Sequence, residues 1–274
     1  MLKITSRENQ RLKQARRVRD GVEKDLIFVE GLRLAEEVLR SGLEIEEIFI
    51  GKNFAKNERE KKFLENSARD SVSIFEVSEN VFDSLADTKN SQGIVLIARK
   101  PDAGRHKIGT ALQKKGRIPL VLLLHKINNP ANLGAILRTA EAVGIVGVIL
   151  TKDSADVFSP KSLRGAMGAA FRLPLWTGAD FFDVLSWSRT NGLISVAADI
   201  RAEKSYLEID WRTPKILIFG SEAHGLSKVE RTDIDETLKI PMENNVESLN
   251  LAVSAGVILF EAKRQIELFQ KTAS

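Results

Sequence analysis

The second half of the chain alternates short apolar segments with amphipathic helical patterns, and this alternation restricts the fold more than any other feature. From Ile118 the segments PLVLLL, GVIL, LISVAA, KILIFG and LKIPM are rich in Leu, Ile and Val, and stretches with apolar residues at helical spacing separate them. Strands of this kind, joined by helices, are typical of a parallel sheet covered on both faces. The sequence therefore predicts an α/β fold that binds ligands at the carboxyl ends of its strands.

A smaller α/β unit precedes this region. The stretch LIFVEGLRLAEEVLRSGLEIEEIFIG predicts a strand, a helix and a strand, and GIVLIA predicts a further strand that ends near Arg99. Residues 100 to 117 contain Pro, Gly and charged residues without a clear apolar period, which indicates a linker. We predict a basic N-terminal arm at 1–20, a small domain at 21–100, a linker at 101–117 and a larger domain at 118–274.

Composition excludes several classes of protein. The chain has 274 residues, of which 43% are hydrophobic and 28% charged, as in a globular protein with one or two real cores. Its apolar runs are too short for a membrane span. Cysteine is absent, which excludes thiolate nucleophiles and disulfides, and the three histidines are too scattered to suggest a metal site. We expect a cytoplasmic protein without a metal or a membrane partner.

Positive charge is concentrated in two segments of the first half. Residues 1–19 carry seven basic residues and one acidic residue, and residues 99–117 carry the same numbers, with Lys114, Lys115 and Arg117 at the end of the second run. Such segments suit a polyanion such as nucleic acid, because each neutralised phosphate releases condensed counterions. The alternative is a solvated tail-like face followed by an ordinary basic linker.

The stretch NNPANLGAILRTAEAVG, residues 128–144, predicts a core-packed helix that is capped either by Asn129, with Pro130 after it, or by Asn132 alone. That pattern leaves Gly134 and Arg138 unexplained. They lie four residues apart on one side of the helix, where bare backbone beside a guanidinium would let a ligand approach closely. The alternative is an exposed Arg138 paired with Glu141.

The loop FGSEAHGLS, residues 219–227, has glycines at the spacing of a phosphate-binding P-loop. Leu226 occupies the position that must be lysine, however, and Glu222 places a negative charge where phosphate oxygens would lie. An ATPase or GTPase is therefore disfavoured. The remaining interpretation is a tight turn between Gly220 and Gly225 that binds a nucleoside-like or cationic ligand through its backbone.

A third loop lies in IPMENNVESLNLAVSAGVILF, where Ser248 is predicted to cap the terminal helix. In order and spacing, NPANLGAILRTAEAVG, FGSEAHGL and IPMENNVESLNLAVSAG together resemble the motifs of the SpoU branch of the SPOUT RNA methyltransferases, the TrmH-like family, over residues 118 to 270. FVEGLRLAEEVL and LADTKNSQGIVLIARKP resemble the ribosomal-protein-like substrate-binding domain often fused to it. One departure is Asn129, where many members have Asp.

The resemblance implies a C-terminal trefoil-knotted SPOUT domain with a parallel sheet, a smaller N-terminal α/β domain that binds RNA, and homodimers that complete each active site. It implies S-adenosylmethionine as cofactor and 2'-O-methylation of a ribose. By motif position the implied catalytic residues are Asn132, Arg138, Glu222, Ser248 and Asn250. The implied cofactor-binding residues are Gly220, Ile240 and Leu249.

The substrate-binding domain favours 23S ribosomal RNA as the substrate, and a SpoU-like transferase acting on tRNA is the alternative. A non-catalytic RNA-binding dimer is disfavoured because all five implied catalytic residues are present. A small-molecule methyltransferase would not explain the basic segments. A guanidinium stays protonated at neutral pH and is a poor base, so we expect Arg138 to pair with a phosphate. The hydroxyl proton is left to a neighbouring group or to an arginine with a specially shifted pKa.

Overall fold

The structure, a computed structural model, describes residues 2–69, 72–114 and 116–273 and divides into two compact units. Unit 1 comprises Met1–Pro101 with Asp156–Arg172, and unit 2 comprises Asp102–Ala155 with Leu173–Ser274. Lys115, one of the basic residues of the predicted linker, lies outside the described residues.

Unit 1 contains a five-stranded mixed sheet in the order β1-β4-β3-β5-β2. Strand β5 pairs antiparallel with β2 and β3, whereas β4 pairs parallel with β1 and β3. Its first stretch contains β1 (Leu2–Ile4), α1 (Gln10–Arg19), β2 (Leu26–Glu30), α2 (Leu32–Arg40), β3 (Ile45–Gly51), α3 (Glu58–Arg69), β4 (Ser73–Val77), α4 (Glu79–Leu85) and β5 (Ile94–Arg99). Its second stretch, Asp156–Arg172, contains α7 (Pro160–Ala166) and α8 (Ala169–Arg172).

The segment predicted as a basic arm is folded into unit 1. Helix α1 buries Leu12, Ala15 and Val18, which recur every three residues and therefore share one face. They join a core cluster with Phe28 and Phe49 of the sheet. The high density of arginines hid this apolar stripe in the sequence.

Unit 2 contains a six-stranded sheet in the order β11-β9-β10-β6-β7-β8, and every pairing in it is parallel. The predicted α/β architecture with a parallel sheet is confirmed. Its elements are α5 (Arg105–Leu112), β6 (Leu120–Leu124), α6 (Pro130–Val143), β7 (Gly147–Thr151), β8 (Leu175–Ala179), α9 (Phe181–Thr190), β9 (Ile194–Ala198), β10 (Lys215–Phe219), α10 (Lys228–Thr232), β11 (Glu236–Leu238) and α11 (Leu251–Ala273).

The predicted linker contains helix α5, which belongs to unit 2. Ile108 is fully buried in the core cluster of unit 2, and Leu112, one turn further on, packs against the same cluster. One apolar residue per turn is a weak sequence signal, yet it is enough to attach a short helix to a core. The structure also groups Asp156–Arg172 with unit 1 rather than with the strands that flank it in sequence.

A buried ion pair fastens β10 to β11. The side chain of Lys215 is 2% exposed, and its Nζ lies 3.3 Å from Oε1 of Glu236. Burial acts to raise the pKa of Glu236, but the hydrogen bond from Lys204 and the charge of Lys215 outweigh it and lower that pKa. We therefore expect the Glu236 carboxyl to be ionised in the folded protein.

Replacing Glu236 by glutamine should lower the free energy of unfolding by about 3–5 kcal/mol, because it leaves the Lys215 ammonium buried without a counter-charge. Urea denaturation measures the change. Lys204→Gln is the matched control, since this exposed partner of the same carboxylate should contribute less than about 1 kcal/mol. Equal losses in the two variants would contradict a special role for the buried pair.

Candidate active site

The loops that carry the three sequence motifs meet at the carboxyl ends of neighbouring strands. Strand β10 lies between β6 and β9, and β11 pairs with β9. The loops after β9, β10 and β11, together with Asn132 in the first turn of α6 and the first two turns of α11, enclose a cavity of about 660 Å³. This is the position at which parallel α/β sheets bind ligands.

The first motif begins helix α6. Asn129 caps the helix, since its side-chain oxygen accepts a hydrogen bond from the backbone N–H of Ala131 at 2.9 Å, and Pro130 occupies the first helical position. Asn132 lies in the first turn and lines the cavity. The helix start therefore places the side chain of Asn132 at the rim of the cavity.

Glu222, in the second motif, lies against the start of α6. Its carboxylate accepts hydrogen bonds from the backbone N–H groups of Asn128 at 3.1 Å and Asn129 at 3.2 Å, and from the side-chain amide of Asn132 at 3.3 Å. The positive end of the helix dipole favours a negative group at this place. The charge that argued against a P-loop thus has a structural role at a helix N-terminus.

Asn250, in the third motif, completes a side-chain network. Its Nδ2 donates to Oδ1 of Asn132 at 3.0 Å, and its own Oδ1 accepts from the backbone N–H of Ala252 at 2.9 Å. Asn250 is therefore the residue that caps α11. The prediction that Ser248 caps this helix was wrong, because α11 begins only at Leu251 and Ser248 lies two residues before the capping position.

The second motif forms a closed turn. Ser221 and Gly225 exchange backbone hydrogen bonds at 3.2 and 2.9 Å, and Gly225 has a φ of +63°, which favours glycine. A Cβ added to Gly220 would lie 2.4 Å from the carbonyl carbon of Gly225. Gly220 is therefore needed for the close approach of two backbone segments at the floor of the cavity.

Seven of the eight predicted site residues line this cavity; they are Asn132, Gly220, Glu222, Ile240, Ser248, Leu249 and Asn250. Arg138 does not line it and is exposed on α6. In the part of the chain that the structure describes, Arg138 forms no hydrogen bond or ion pair, so the alternative pair with Glu141 is not observed. Gly134 is buried in α6 and does not line the cavity, which contradicts the interpretation that it opens space for a ligand.

Two further cavity residues, Asp199 and Arg201, follow β9 and were not among the predicted residues. The Asp199 carboxylate accepts hydrogen bonds from Arg201 at 3.0 and 3.1 Å and from Arg231 at 3.0 Å. Burial acts to raise the pKa of Asp199, but these hydrogen bonds outweigh it and lower the pKa. Charged residues directly after a buried strand, as in AADIR, are the sequence signal that could have found them.

A buried histidine supports the loop after β6. His125 is 3% exposed, with Nε2 at 3.0 Å from Oε1 of Glu230 and Nδ1 at 3.1 Å from Oγ1 of Thr151. The backbone N–H of Lys126 donates to the same hydroxyl at 3.1 Å, which leaves the hydroxyl proton for Nδ1. His125 is then the neutral tautomer that donates from Nε2 to Glu230. Burial lowers its pKa and outweighs the opposing charge of Glu230.

This histidine should make stability depend on pH near neutrality. Because the pKa of His125 is lower in the folded state, the unfolded chain binds more protons as pH falls through about 6.5, and the free energy of unfolding should decrease by at most about 1.4 kcal/mol per pH unit. Urea denaturation between pH 7.5 and 5.5 measures this slope. His125→Asn should flatten this slope. A slope that survives His125→Asn would contradict the assignment.

No cluster of three or more candidate metal ligands occurs within residues 2–69, 72–114 and 116–273. Over the same ranges, no helix is both long and apolar enough to cross a membrane.

Comparison with known proteins identifies the class. Residues 28–103 match the family model described as RNA 2'-O ribose methyltransferase substrate binding, and residues 119–260 match the one described as the SpoU rRNA Methylase family. A parallel α/β unit with this cavity, joined to such a substrate-binding region, defines an RNA methyltransferase. The chain belongs to the SpoU rRNA methylase family.

Individual relatives agree with this assignment. The chain is 34% identical over 267 residues to an uncharacterized tRNA/rRNA methyltransferase of Synechocystis, covering 96% of this chain and 93% of the relative. It is 26% identical to the 23S rRNA (guanosine(2553)-2'-O)-methyltransferase RlmP of Bacillus subtilis, covering 96% and 100%. A crystal structure of an AdoMet-bound rRNA methyltransferase from Sinorhizobium meliloti matches with a TM-score of 0.83 and 26% identity, covering 96% and 98%.

These comparisons confirm the predicted family, the α/β SPOUT-type fold class, the enzyme class and S-adenosylmethionine as cofactor. They also support RNA as the substrate. The domain limits and the roles of the site residues stay predictions.

Proposed function

We propose that this protein transfers the methyl group of S-adenosylmethionine to the 2'-hydroxyl of a ribose in 23S ribosomal RNA. The observation that carries the proposal is the network from Glu222 through Asn132 to Asn250, which joins three motifs from separate parts of the chain at the rim of one cavity. Such convergence of polar side chains beside a cavity is typical of an active site. The named function of RlmP, which matches along almost the whole chain, supports ribosomal RNA as the substrate.

The cavity has the chemistry that this cofactor requires. Ile240 and Ile258 give it apolar walls against which an adenine ring can pack, while the loops around Gly220 and Leu249 offer backbone donors and acceptors. S-adenosylmethionine supplies, when bound, a methyl group on a positively charged sulfonium. Glu222 places a carboxylate at the same rim and so favours a cationic ligand there.

The chain's own residues act mainly by positioning. Glu222 and Asn250 fix the side-chain amide of Asn132 from both sides, so that its orientation is set before RNA binds. Ser248 lines the same cavity and can donate a hydrogen bond to the ribose. Arg138 binds the phosphate next to the target ribose through its planar fork.

The proposal includes a homodimer, because Arg138 does not line the cavity of its own chain. Helix α11 carries the exposed apolar residues Val253 and Phe260, each 52% exposed and seven residues apart, and Val246 and Leu249 before the helix are 50% and 37% exposed. A second copy that buries these side chains would bring its own Arg138 to the cavity. The trefoil knot and the cytoplasmic location expected from the sequence are part of this proposal.

Transfer of labelled methyl from S-adenosylmethionine to unmodified 23S ribosomal RNA and, separately, to tRNA tests the substrate. Label in ribosomal RNA at one site resistant to alkaline cleavage is the expected result. Label in tRNA alone would favour the tRNA transferase. If the wild type and Asn132→Ala both bind the cofactor and neither transfers label to either RNA, the result would favour a non-catalytic RNA-binding dimer.

A further inference from the structure

The cations of α1 and the preceding residues, which the sequence suggested for RNA binding, all have partners within unit 1. Lys3, Arg11, Lys13 and Arg17 form ion pairs with Glu76, Glu47, Glu8 and Glu23. The other three bind backbone carbonyls: Arg7 that of Asn80, Arg16 that of Arg7, and Arg19 those of Ser84, Leu85 and Ala86. These contacts hold the unit together, and since Arg19 also pairs with Asp20, five of the seven cations have a carboxylate partner.

A different edge of unit 1 carries cations that form no ion pair or hydrogen bond with any described residue. The backbone N–H of Gly31 donates to the carbonyl of Ile94 at 3.1 Å, and that of Gly51 donates to the carbonyl of Gly93 at 2.9 Å. The chain segments that follow β2 and β3 and precede β5 therefore meet at one edge of the sheet.

Arg33, Lys52 and Lys89 lie on these three segments and are exposed. Among the residues that the structure describes, none of their side chains forms a hydrogen bond or an ion pair. The nearby carboxylate of Glu36 is already held by Arg59 at 2.6 and 2.7 Å. Arg33 also lowers the pKa of Glu36 by its charge, although the hydrogen bond from Arg59 has the larger effect. Since no hydrogen bond or ion pair within the described residues holds the three cations, they are available to a phosphate.

The loop Asp87–Gln92, which carries Lys89, is held by hydrogen bonds at both ends. Glu30, a buried carboxylate, accepts hydrogen bonds from the backbone N–H groups of Asp87 at 2.8 Å and Thr88 at 3.1 Å, and also from the Thr88 hydroxyl. At the other end, Oε1 of Gln92 accepts from the backbone N–H of Leu32 at 3.0 Å. A loop held in this way presents Lys89 and Asn90 without a large ordering cost on binding.

We propose that this edge, formed by Arg33, Lys52 and the loop Asp87–Gln92, is the surface of unit 1 that binds the RNA backbone, and that Glu30 is a positioning residue for it. The inference rests on the proposed function and specifies where the substrate binds. Exposed cations neutralise phosphates, and the amides of Asn53 and Asn90 can hydrogen-bond riboses and exposed bases. The cations of residues 1–19 should contribute less, because five of the seven lie beside a carboxylate that offsets their attraction for a phosphate.

The test measures binding of a full-length 23S ribosomal RNA transcript to the full chain over a series of salt concentrations. The triple variant Arg33→Gln, Lys52→Gln, Lys89→Gln should bind about 10- to 100-fold more weakly, and the slope of log affinity against log salt should decrease by about 2 to 3. The matched control is the triple variant Lys3→Gln, Lys13→Gln, Arg17→Gln, which removes the same charge from β1 and α1. It should bind RNA within about twofold of the wild type.

Glu30→Gln tests the positioning role, because the single amide oxygen of glutamine can replace only one of the two carboxylate oxygens. If that oxygen keeps the backbone N–H groups of Asp87 and Thr88, the NH2 group faces the Thr88 hydroxyl and cannot accept from it. It should raise KM for RNA while kcat and the cofactor Kd stay unchanged. A merely structural role would instead lower the active fraction, and with it kcat, at constant KM. Crosslinking tests the surface without removing a residue that the fold needs. Photoreactive benzoylphenylalanine at position 90 should crosslink to RNA, whereas the same group at position 13 should not.

The outcomes separate this inference from the proposed function. Equal affinity of the triple variant and the wild type, with methylation intact, would overturn the surface and leave the function standing. RNA that binds at this edge without being methylated would overturn the function and leave the surface standing. An RNA transcript that does not bind the wild type at all would overturn both.

Discussion

Arg138→Ala and Asn250→Ala are each expected to lower methyl transfer to RNA by at least about a hundredfold, since each removes a group that positions the reacting ribose. A one-to-one mixture of the two inactive variants is expected to recover about a quarter of the wild-type rate, because half of the dimers would be mixed and each would hold one complete site of two. The measurement is labelled methyl transfer after the subunits have been mixed and allowed to exchange.

The recovery follows from the position of the two residues. Asn250 belongs to the cavity network through its 3.0 Å contact with Asn132, whereas Arg138 lies outside the cavity on α6. In a mixed dimer, the chain that has lost Arg138 still has an intact network, and its partner still has the arginine. If Arg138 serves its own chain, every site in the mixture stays incomplete.

Two controls limit the interpretation. Arg138→Lys keeps the positive charge but loses the bidentate fork, so its rate should lie between those of Arg138→Ala and the wild type. Thermal unfolding of Asn250→Ala controls for the lost helix cap, which contributes about 1 kcal/mol. A mixture no more active than its parents would place Arg138 in its own chain's site, and Arg138→Lys at the wild-type rate would contradict the phosphate role.

Gly220→Ala is expected to weaken binding of S-adenosylmethionine by at least about tenfold and to lower methyl transfer accordingly. The added Cβ would lie 2.4 Å from the carbonyl carbon of Gly225 and 2.7 Å from the backbone nitrogen of Leu226. Both are backbone atoms of a turn closed by two hydrogen bonds, so neither can rotate away. The turn must move, and it forms one side of the cofactor cavity. Isothermal titration with the cofactor measures the loss.

Gly109→Ala is the matched control for this substitution. Gly109 lies in helix α5, and a Cβ added there meets nothing within 4 Å. It should leave cofactor affinity unchanged and raise stability by about 0.5–1 kcal/mol, since alanine favours a helix. Wild-type cofactor affinity in Gly220→Ala would show that the turn is not a fixed part of the cavity.

The motifs, rather than the composition, carried the identification of this chain. Asn132 and Asn250 are 118 positions apart, and Glu222 lies between them in the sequence. Each of the three has an ordinary structural explanation when considered alone. Their order and spacing resembled one family, and the structure then placed them in hydrogen-bonding contact. Ser248 lines this cavity but does not cap the helix, because Asn250, next to the first helical residue, takes that role.

Charge counts were less informative than motifs. The sequence showed that residues 1–19 are rich in arginine and lysine, but it could not show that every one of these cations has a partner in the fold. Nor could it show that three cations from distant positions share one edge of a sheet, where they form no ion pair or hydrogen bond with any residue that the structure describes. The number of charged residues in a segment does not say which oppositely charged side chains the fold places beside them.

The sequence by itself determined the alternation of strands and helices, the parallel sheet, the family and the residues at the strand ends, because local apolar periodicity and short motifs are properties of neighbouring residues. Only the tertiary structure decided that α1 and α5 pack into the two units, that Gly134 is buried, and that Arg138 lies outside the cavity. These facts depend on contacts between residues far apart in the chain, and such contacts form only when the whole backbone has folded.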